Sequence, residues 1–164
     1  MTTGLPSKCV MVMLTMALAA CGEAPPPNIP SEPALTVQAL KDTPVMPMAL
    51  QEVVDTYVFG GTRTDLQRET MTAKLVGATV SWRFKVYDIA KEDGRYRVMS
   101  ELMDGTEPGA FGKFTVVAFV TPRDEQDVQA LLKLQTGSEV EIRGRVDGVT
   151  VRTALVLSTA ELVR

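Results

Sequence analysis

Val76-Gly77-Ala78-Thr79-Val80-Ser81-Trp82-Arg83-Phe84-Lys85-Val86-Tyr87 carries the clearest two-residue period in the chain. Val76, Ala78, Val80, Trp82, Phe84 and Val86 fall on one face, and the intervening small, polar and charged residues with Tyr87 fall on the other. That alternation predicts a long, half-buried β-strand. A turn signal, Glu92-Asp93-Gly94, follows, and then Tyr96, Val98 and Leu102 alternate with Arg97, Met99 and Glu101. Two alternating runs joined through Asp-Gly read as an antiparallel hairpin.

Reading toward the C-terminus, a glycine-rich connection from Asp104 to Gly112 leads into Lys113 to Val120, whose β-favouring residues predict a third strand. Thr121-Pro122-Arg123-Asp124-Glu125 then supplies an N-cap, a proline at the first helical position and acids in the first turn. A helix with Val128, Leu131 and Leu132 follows and stops at Gly137. Glu139 to Val146 and Val149 to Leu157 flank Asp147-Gly148, which reads as a two-residue hairpin turn between two last strands. Toward the N-terminus, Leu50, Val53, Val54, Tyr57 and Val58 lie at helical spacing before Gly60-Gly61, and Leu66 to Lys74 carries a weaker helical pattern. The element order predicts a mainly β fold: a five-stranded OB-fold barrel with a helix between strands 3 and 4 and an N-terminal helical extension. Closure would need the first strand to bend, and Gly77 is the expected place.

The N-terminus reads as an export signal. Lys8 precedes the apolar run Val10 to Ala20, which is shorter than the roughly 20 residues needed to span a bilayer. Leu18-Ala19-Ala20-Cys21 resembles the bacterial lipobox, and the resemblance implies that Cys21 is lipidated and becomes the mature N-terminus. Several acyl chains would make attachment durable, since each buried CH₂ contributes about 0.8 kcal/mol. Gly22 after the cysteine, again by that resemblance, implies an outer-membrane location facing the periplasm. Pro25, Pro26, Pro27, Pro30, Pro33, Pro44 and Pro47 oppose helix and favour extended chain, with a reach of at most about 80 Å at about 3.1 Å per residue. The expected organisation is therefore a signal peptide over 1–20, a lipid anchor and proline-rich tether over 21–47, and an OB-fold domain over 48–164.

Lys74-Leu75-Val76-Gly77-Ala78-Thr79-Val80 and Gly137-Ser138-Glu139-Val140-Glu141-Ile142-Arg143-Gly144-Arg145-Val146 resemble the small bacterial lipoproteins whose OB domains are similar to the tRNA-anticodon-binding type. The resemblance spans about residues 48 to 164 and implies a shape; it carries no catalytic residues.

Composition narrows the function. The chain has no histidine and a formal net charge of −3, so the commonest general base and metal ligand is missing and no polyanion-binding surplus exists. Arg83, Lys85, Arg95 and Arg97 point outward from the first two strands, where hairpin pairing would gather them into an anion- or ligand-binding face; in the competing reading Glu101, Glu139 and Glu141 neutralise them. Asp124, Glu125 and Asp127 suggest a metal cluster but are also what a helix dipole draws to a first turn. The aromatics mostly fall on core phases, so the stacking platforms of a nucleic-acid binder are lacking. The expectation is a non-enzymatic, lipid-anchored envelope protein, without cofactor or metal, whose barrel binds an envelope protein or other ligand and not nucleic acid. The alternatives are a cell-wall glycan-directed enzyme or inhibitor, or a surface immunity or exclusion lipoprotein.

Overall fold

The computed structural model describes residues 37–164. The expected signal peptide, Cys21 and most of the proline-rich segment lie outside the described residues.

The alternating stretch forms β1 (Thr79–Glu92). Its hairpin partner is β2 (Arg95–Ser100), joined through Asp93 and Gly94, both at positive φ (49° and 79°), the geometry of a type I′ turn. β3 (Thr115–Val120), β4 (Glu139–Thr150) and β5 (Ala154–Leu162) complete a closed barrel in the order β1-β2-β3-β5-β4. β3 and β5 run parallel and every other pair is antiparallel. Helix α4 (Glu125–Lys133) sits between β3 and β4 in the chain. This is the OB barrel that the element order predicts.

Closure depends on the length of β1. Its Thr79–Lys85 half pairs with β4, its Val86–Glu92 half pairs with β2, and the register shifts between Val86 and Asp88. The strand therefore bends at Tyr87 and not at Gly77, which lies before β1 with φ +83°. An irregularity where one ladder hands over to another concentrates the curvature a barrel needs. Val80, Trp82, Phe84 and Val86 face inward and join Val98, Phe114, Val116, Ile142, Leu155 and Leu157 in one core. Leu102 falls beyond the end of β2 and is exposed.

Among the described residues three helices precede the barrel: α1 (Val37–Asp42), α2 (Leu50–Tyr57) and α3 (Asp65–Leu75). The periodic face of α2 buries Val53, Val54 and Tyr57 in the barrel core, where Tyr57 stacks on Phe114 at 5.9 Å. α3 opens on a capping box, in which the Thr64 hydroxyl accepts from the Gln67 backbone and the Gln67 side chain accepts from the Thr64 backbone. The tether reading extends too far: α1 lies within it, Leu40 is fully buried, and Arg143 donates to the carbonyls of Lys41 and Thr43. The Met46 amide then donates to the Thr79 carbonyl (2.8 Å), and the Met48 carbonyl accepts from the indole of Trp82 (2.8 Å). Apolar side chains with a barrel to bury against outweigh the extended preference of scattered prolines.

Two local readings are corrected, one by strand register and one by a capping hydrogen bond. The β4–β5 turn is made by Val151 and Arg152, at φ 45° and 61°, while Asp147 and Gly148 lie within β4. A turn at Asp147-Gly148 would set Leu157 opposite Ser138 and leave Ala160 and Leu162 beyond the start of β4. The observed register sets Leu157 opposite Val146, Ala160 opposite Gly144 and Leu162 opposite Ile142, and burial of that apolar set overrides turn propensity. The N-cap of α4 is Asp124, not Thr121: its side chain accepts from the Asp127 amide at 2.9 Å.

Candidate functional site

The four predicted basic residues do not form one face. Arg83 and Lys85 lie on the half of β1 that pairs with β4, opposite Glu141 and Glu139. Arg95 and Arg97 lie opposite Glu92 and Ala90 near the far end of β1. Ala90 lies seven positions beyond Arg83 along the strand, about 23 Å at roughly 3.3 Å per residue. Arg83 pairs with Glu141 at 3.1 Å, and that contact, with a second hydrogen bond from Ser81, holds the Glu141 carboxyl below its usual range. Arg97 is engaged by Glu92 (2.6 Å) and Asp88 (3.5 Å), and Arg95 lies over the Phe119 ring and donates to the Ser158 carbonyl. The neutralised reading holds for Arg83, which Glu141 engages, whereas Arg97 is paired by Glu92 and Asp88 in place of the expected acids; the hairpin could not gather the quartet because β1 changes partner midway.

The acidic first turn of α4 is a structural ion network. Asp127 is fully buried, and its carboxylate accepts from the Arg123 amide (2.9 Å), from Arg123 Nε (2.8 Å) and Nη2 (3.2 Å), and pairs with Arg164 Nη2 (2.8 Å). Arg123 also reaches the Leu162 carbonyl (2.8 Å) and buried Glu161 (3.5 Å), and Arg164 pairs with Asp124. The two guanidiniums fill the coordination that a metal would need.

A groove of about 600 Å³ is open and lies between α3 and the β4–β5 turn. Its lining is mainly apolar, with Tyr57, Ala73, Val76, Val149 and Val151, and Asp65, Arg68, Glu69 and Arg152 add charge. Val76 and Val151 stay exposed, Val151 at 79%. The Tyr57 hydroxyl shares a hydrogen bond with Thr72 (2.8 Å), and burial pushes its pKa up. Arg68 is engaged by Asp65 and the Arg63 carbonyl. Arg152 is held differently. Its guanidinium lies 4.2 Å over the Phe59 ring, its Nε donates to the Tyr57 carbonyl (3.3 Å), and its charge, after that of Arg68, helps to hold the Asp65 carboxyl in the same groove below its ordinary value. Phe59 is in turn stacked on Phe111 at 5.9 Å. An oriented guanidinium beside exposed apolar side chains suits a partner offering an apolar side chain next to a carboxylate or carbonyl.

None of these groove residues reads as a binding residue in the sequence: Tyr57, Val76 and Val149 read there as parts of a helical face and of strands. The one available signal was the Thr64-x-x-Gln67 capping box, which fixes where α3 begins.

The turn that carries Arg152 is strained. Two consecutive non-glycine residues at positive φ, one of them β-branched, occupy a conformation that costs on the order of 1–3 kcal/mol each. Val151→Asn is expected to raise the unfolding free energy by about 1 kcal/mol, because asparagine tolerates this region and the valine side chain buries little. Urea denaturation of the two proteins side by side measures this, and a lower midpoint for the variant would contradict it.

The chain belongs to the class of five-stranded OB barrels, on its strand order and closure. No family model matches it and no curated protein matches it. Solved structures are similar to it at low identity. A candidate nucleic acid-binding lipoprotein from Klebsiella pneumoniae subsp. pneumoniae is similar at 17% identity over 78% of this chain and 98% of that one, with a TM-score of 0.44. Asparaginyl-tRNA synthetase from Pyrococcus horikoshii is similar at 18% identity over 58% of this chain and 22% of that one (TM-score 0.39). Aspartyl-tRNA synthetase from Entamoeba histolytica is similar at 19% identity over 72% and 24% (TM-score 0.37). The chain spans less than a quarter of either synthetase.

Proposed function

We propose that this chain is a lipid-anchored envelope protein of the bacterial outer membrane, facing the periplasm, whose OB barrel is a non-enzymatic module that binds a protein partner. The observation that carries the binding part is the strained Val151-Arg152 turn beside an open, mainly apolar groove. Strain retained at an exposed loop, where glycine or asparagine would relieve it, is more economically explained by what the turn presents than by stability. Arg152 gives the groove one fixed hydrogen-bonding charge, and Val151 and Val76 give it contact area.

The anchor rests on Leu18-Ala19-Ala20-Cys21. Cys21→Ala is expected to abolish incorporation of a palmitate analogue and to leave the signal peptide uncleaved. Labelling followed by mass spectrometry of the N-terminus tests this, and wild-type protein without label would contradict the anchor.

The binding reading is tested by a photo-crosslinking side chain placed at position 151 in cells. One discrete protein adduct that disappears on Arg152→Ala is the expected result. Adducts spread over many proteins, or an adduct indifferent to Arg152, would count against the groove.

A further inference from the structure

β1 has a stretch of open edge. Over Thr79–Lys85 its even-numbered residues direct their backbone groups to β4, as the bonds from the Val146 amide to the Ala78 carbonyl and from the Val86 amide to the Ser138 carbonyl show at the two ends of the ladder. The odd-numbered residues face the other edge. That edge is bonded at its ends, where the Met46 amide donates to the Thr79 carbonyl (2.8 Å) and the Glu101 amide to the Lys85 carbonyl (2.7 Å). Between them, about 20 Å of strand at roughly 3.3 Å per residue, the amides and carbonyls of Ser81 and Arg83 meet no partner strand among the described residues, since the pairing with β2 begins at Val86.

Three features say what would fit there. A pocket of about 310 Å³ adjoins the edge, with Leu50, Phe84, Leu102 and Met103 in its lining, and Leu102 is 63% exposed. Arg83 and Lys85 stand outward beside it, and on their other flank β4 meets them with Glu141 and Glu139. Two copies of this edge laid together antiparallel would oppose Arg83 and Lys85 to the same cations, so the edge is charged against self-pairing.

We propose that the β1 edge at Ser81–Lys85 accepts an extended segment of a partner protein as an added strand, with acidic side chains outward against Arg83 and Lys85 and an apolar side chain inward over Phe84. Main-chain hydrogen bonds supply affinity and the alternation supplies selectivity. This surface is separate from the groove beside Arg152, although it builds on the reading of the barrel as a binding module.

The test uses the full chain in detergent and a synthetic peptide alternating glutamate with leucine and valine, beside a twin of identical side chains whose alternate amides are N-methylated. The parent is expected to slow exchange of the Ser81 and Arg83 amides by about tenfold, the scale of one net hydrogen bond, and the twin to leave them unchanged. Arg83→Pro is expected to abolish peptide binding while sparing the β4 ladder, because the amide it removes faces the open edge. Equal binding by the twin, unprotected Ser81 and Arg83 amides at saturating peptide, or no binding at millimolar peptide would each overturn the proposal. Such failure would leave the adduct at position 151 intact, whereas failure of the groove would leave this edge untouched.

Discussion

Asp127→Ala is expected to lower the unfolding free energy by about 3–5 kcal/mol, the loss associated with removing one partner of a buried ion pair. The side chain is 1% exposed, and its two oxygens gather Arg123 and Arg164. Deleting it removes the carboxylate that Arg123 and Arg164 share and leaves Arg123 with Glu161, one oxygen of which is buried without a hydrogen-bond partner, and Arg164 with the more exposed Asp124. A small domain has only about 5–15 kcal/mol in total, so the variant should sit near its threshold. Asp127→Asn, which keeps the shape and one acceptor, should lose less. The effect also carries a pH signature. The Arg123 hydrogen bond, opposed by burial and aided by the Arg123 amide and the Arg164 charge, holds the Asp127 carboxyl below its ordinary value. A depressed folded-state pKa contributes stability that is fully present above the unfolded value of about 3.9 and is lost as pH falls through the folded value. The gap between wild type and Asp127→Ala should therefore be widest at neutral pH and narrow below about pH 4. Urea denaturation at pH 7 and pH 3 measures it, and a gap that grows on acidification would refute this account.

The elements legible in the sequence are those whose burial is decided by near neighbours. From Val80 onward the two-residue period of β1, the Asp93-Gly94 turn and the helical face Leu50, Val53, Val54 and Tyr57 place side chains correctly without knowledge of the rest of the chain, whereas Val76, read on the same inward face, caps α3 and is exposed. The strand order follows from them, since a barrel is the closure that leaves least edge exposed. What was not legible depends on residues distant in sequence. Asp147-Gly148 is the better turn locally, but the hairpin turns at Val151-Arg152 because Leu155, Leu157, Ala160 and Leu162 must register with Val149, Val146, Gly144 and Ile142. Asp127 reads as a helix-dipole acid until Arg164 is seen beside it. Arg83 and Arg97 look like neighbours on a hairpin and are not, because β1 exchanges one partner strand for another at its bend. Arg152 carries no sequence signal: its significance comes from the Phe59 ring beneath it, on a different element.

That ring is placed by backbone approach, which makes Gly60→Ala the second large effect, expected at about 2–5 kcal/mol. Gly60 has φ +74°, and a Cβ there would stand 2.2 Å from the Gly109 carbonyl oxygen and 2.5 Å from the Phe111 ring. The positive φ alone costs an alanine about 1–2 kcal/mol, and overpacking against backbone adds about 1–3 kcal/mol. The Gly109 carbonyl has little room to retreat, because the same connection is tied down on both sides. The Phe59 and Phe111 backbones exchange hydrogen bonds at 3.1 and 2.7 Å, Asp55 accepts from the Thr106 amide and hydroxyl, and Glu107 accepts from the Thr62 amide and hydroxyl. Gly105 is equally tight, since a Cβ on it would lie 2.5 Å from Val58 Cγ2. The β2–β3 connection is thus clamped to the α2–α3 link, and these glycines permit the contact. Relief of the clash must move Phe111 or Phe59, and moving Phe59 takes away the surface on which the Arg152 guanidinium lies. Gly60→Ala should therefore both destabilise the barrel and weaken the position-151 adduct under conditions where the protein is still folded, whereas Asp127→Ala, on the α4 side, should destabilise without changing the adduct of the folded fraction. Calorimetry together with crosslinking of the two variants separates these outcomes; an adduct unchanged in folded Gly60→Ala would show that Arg152 does not depend on Phe59 for its position.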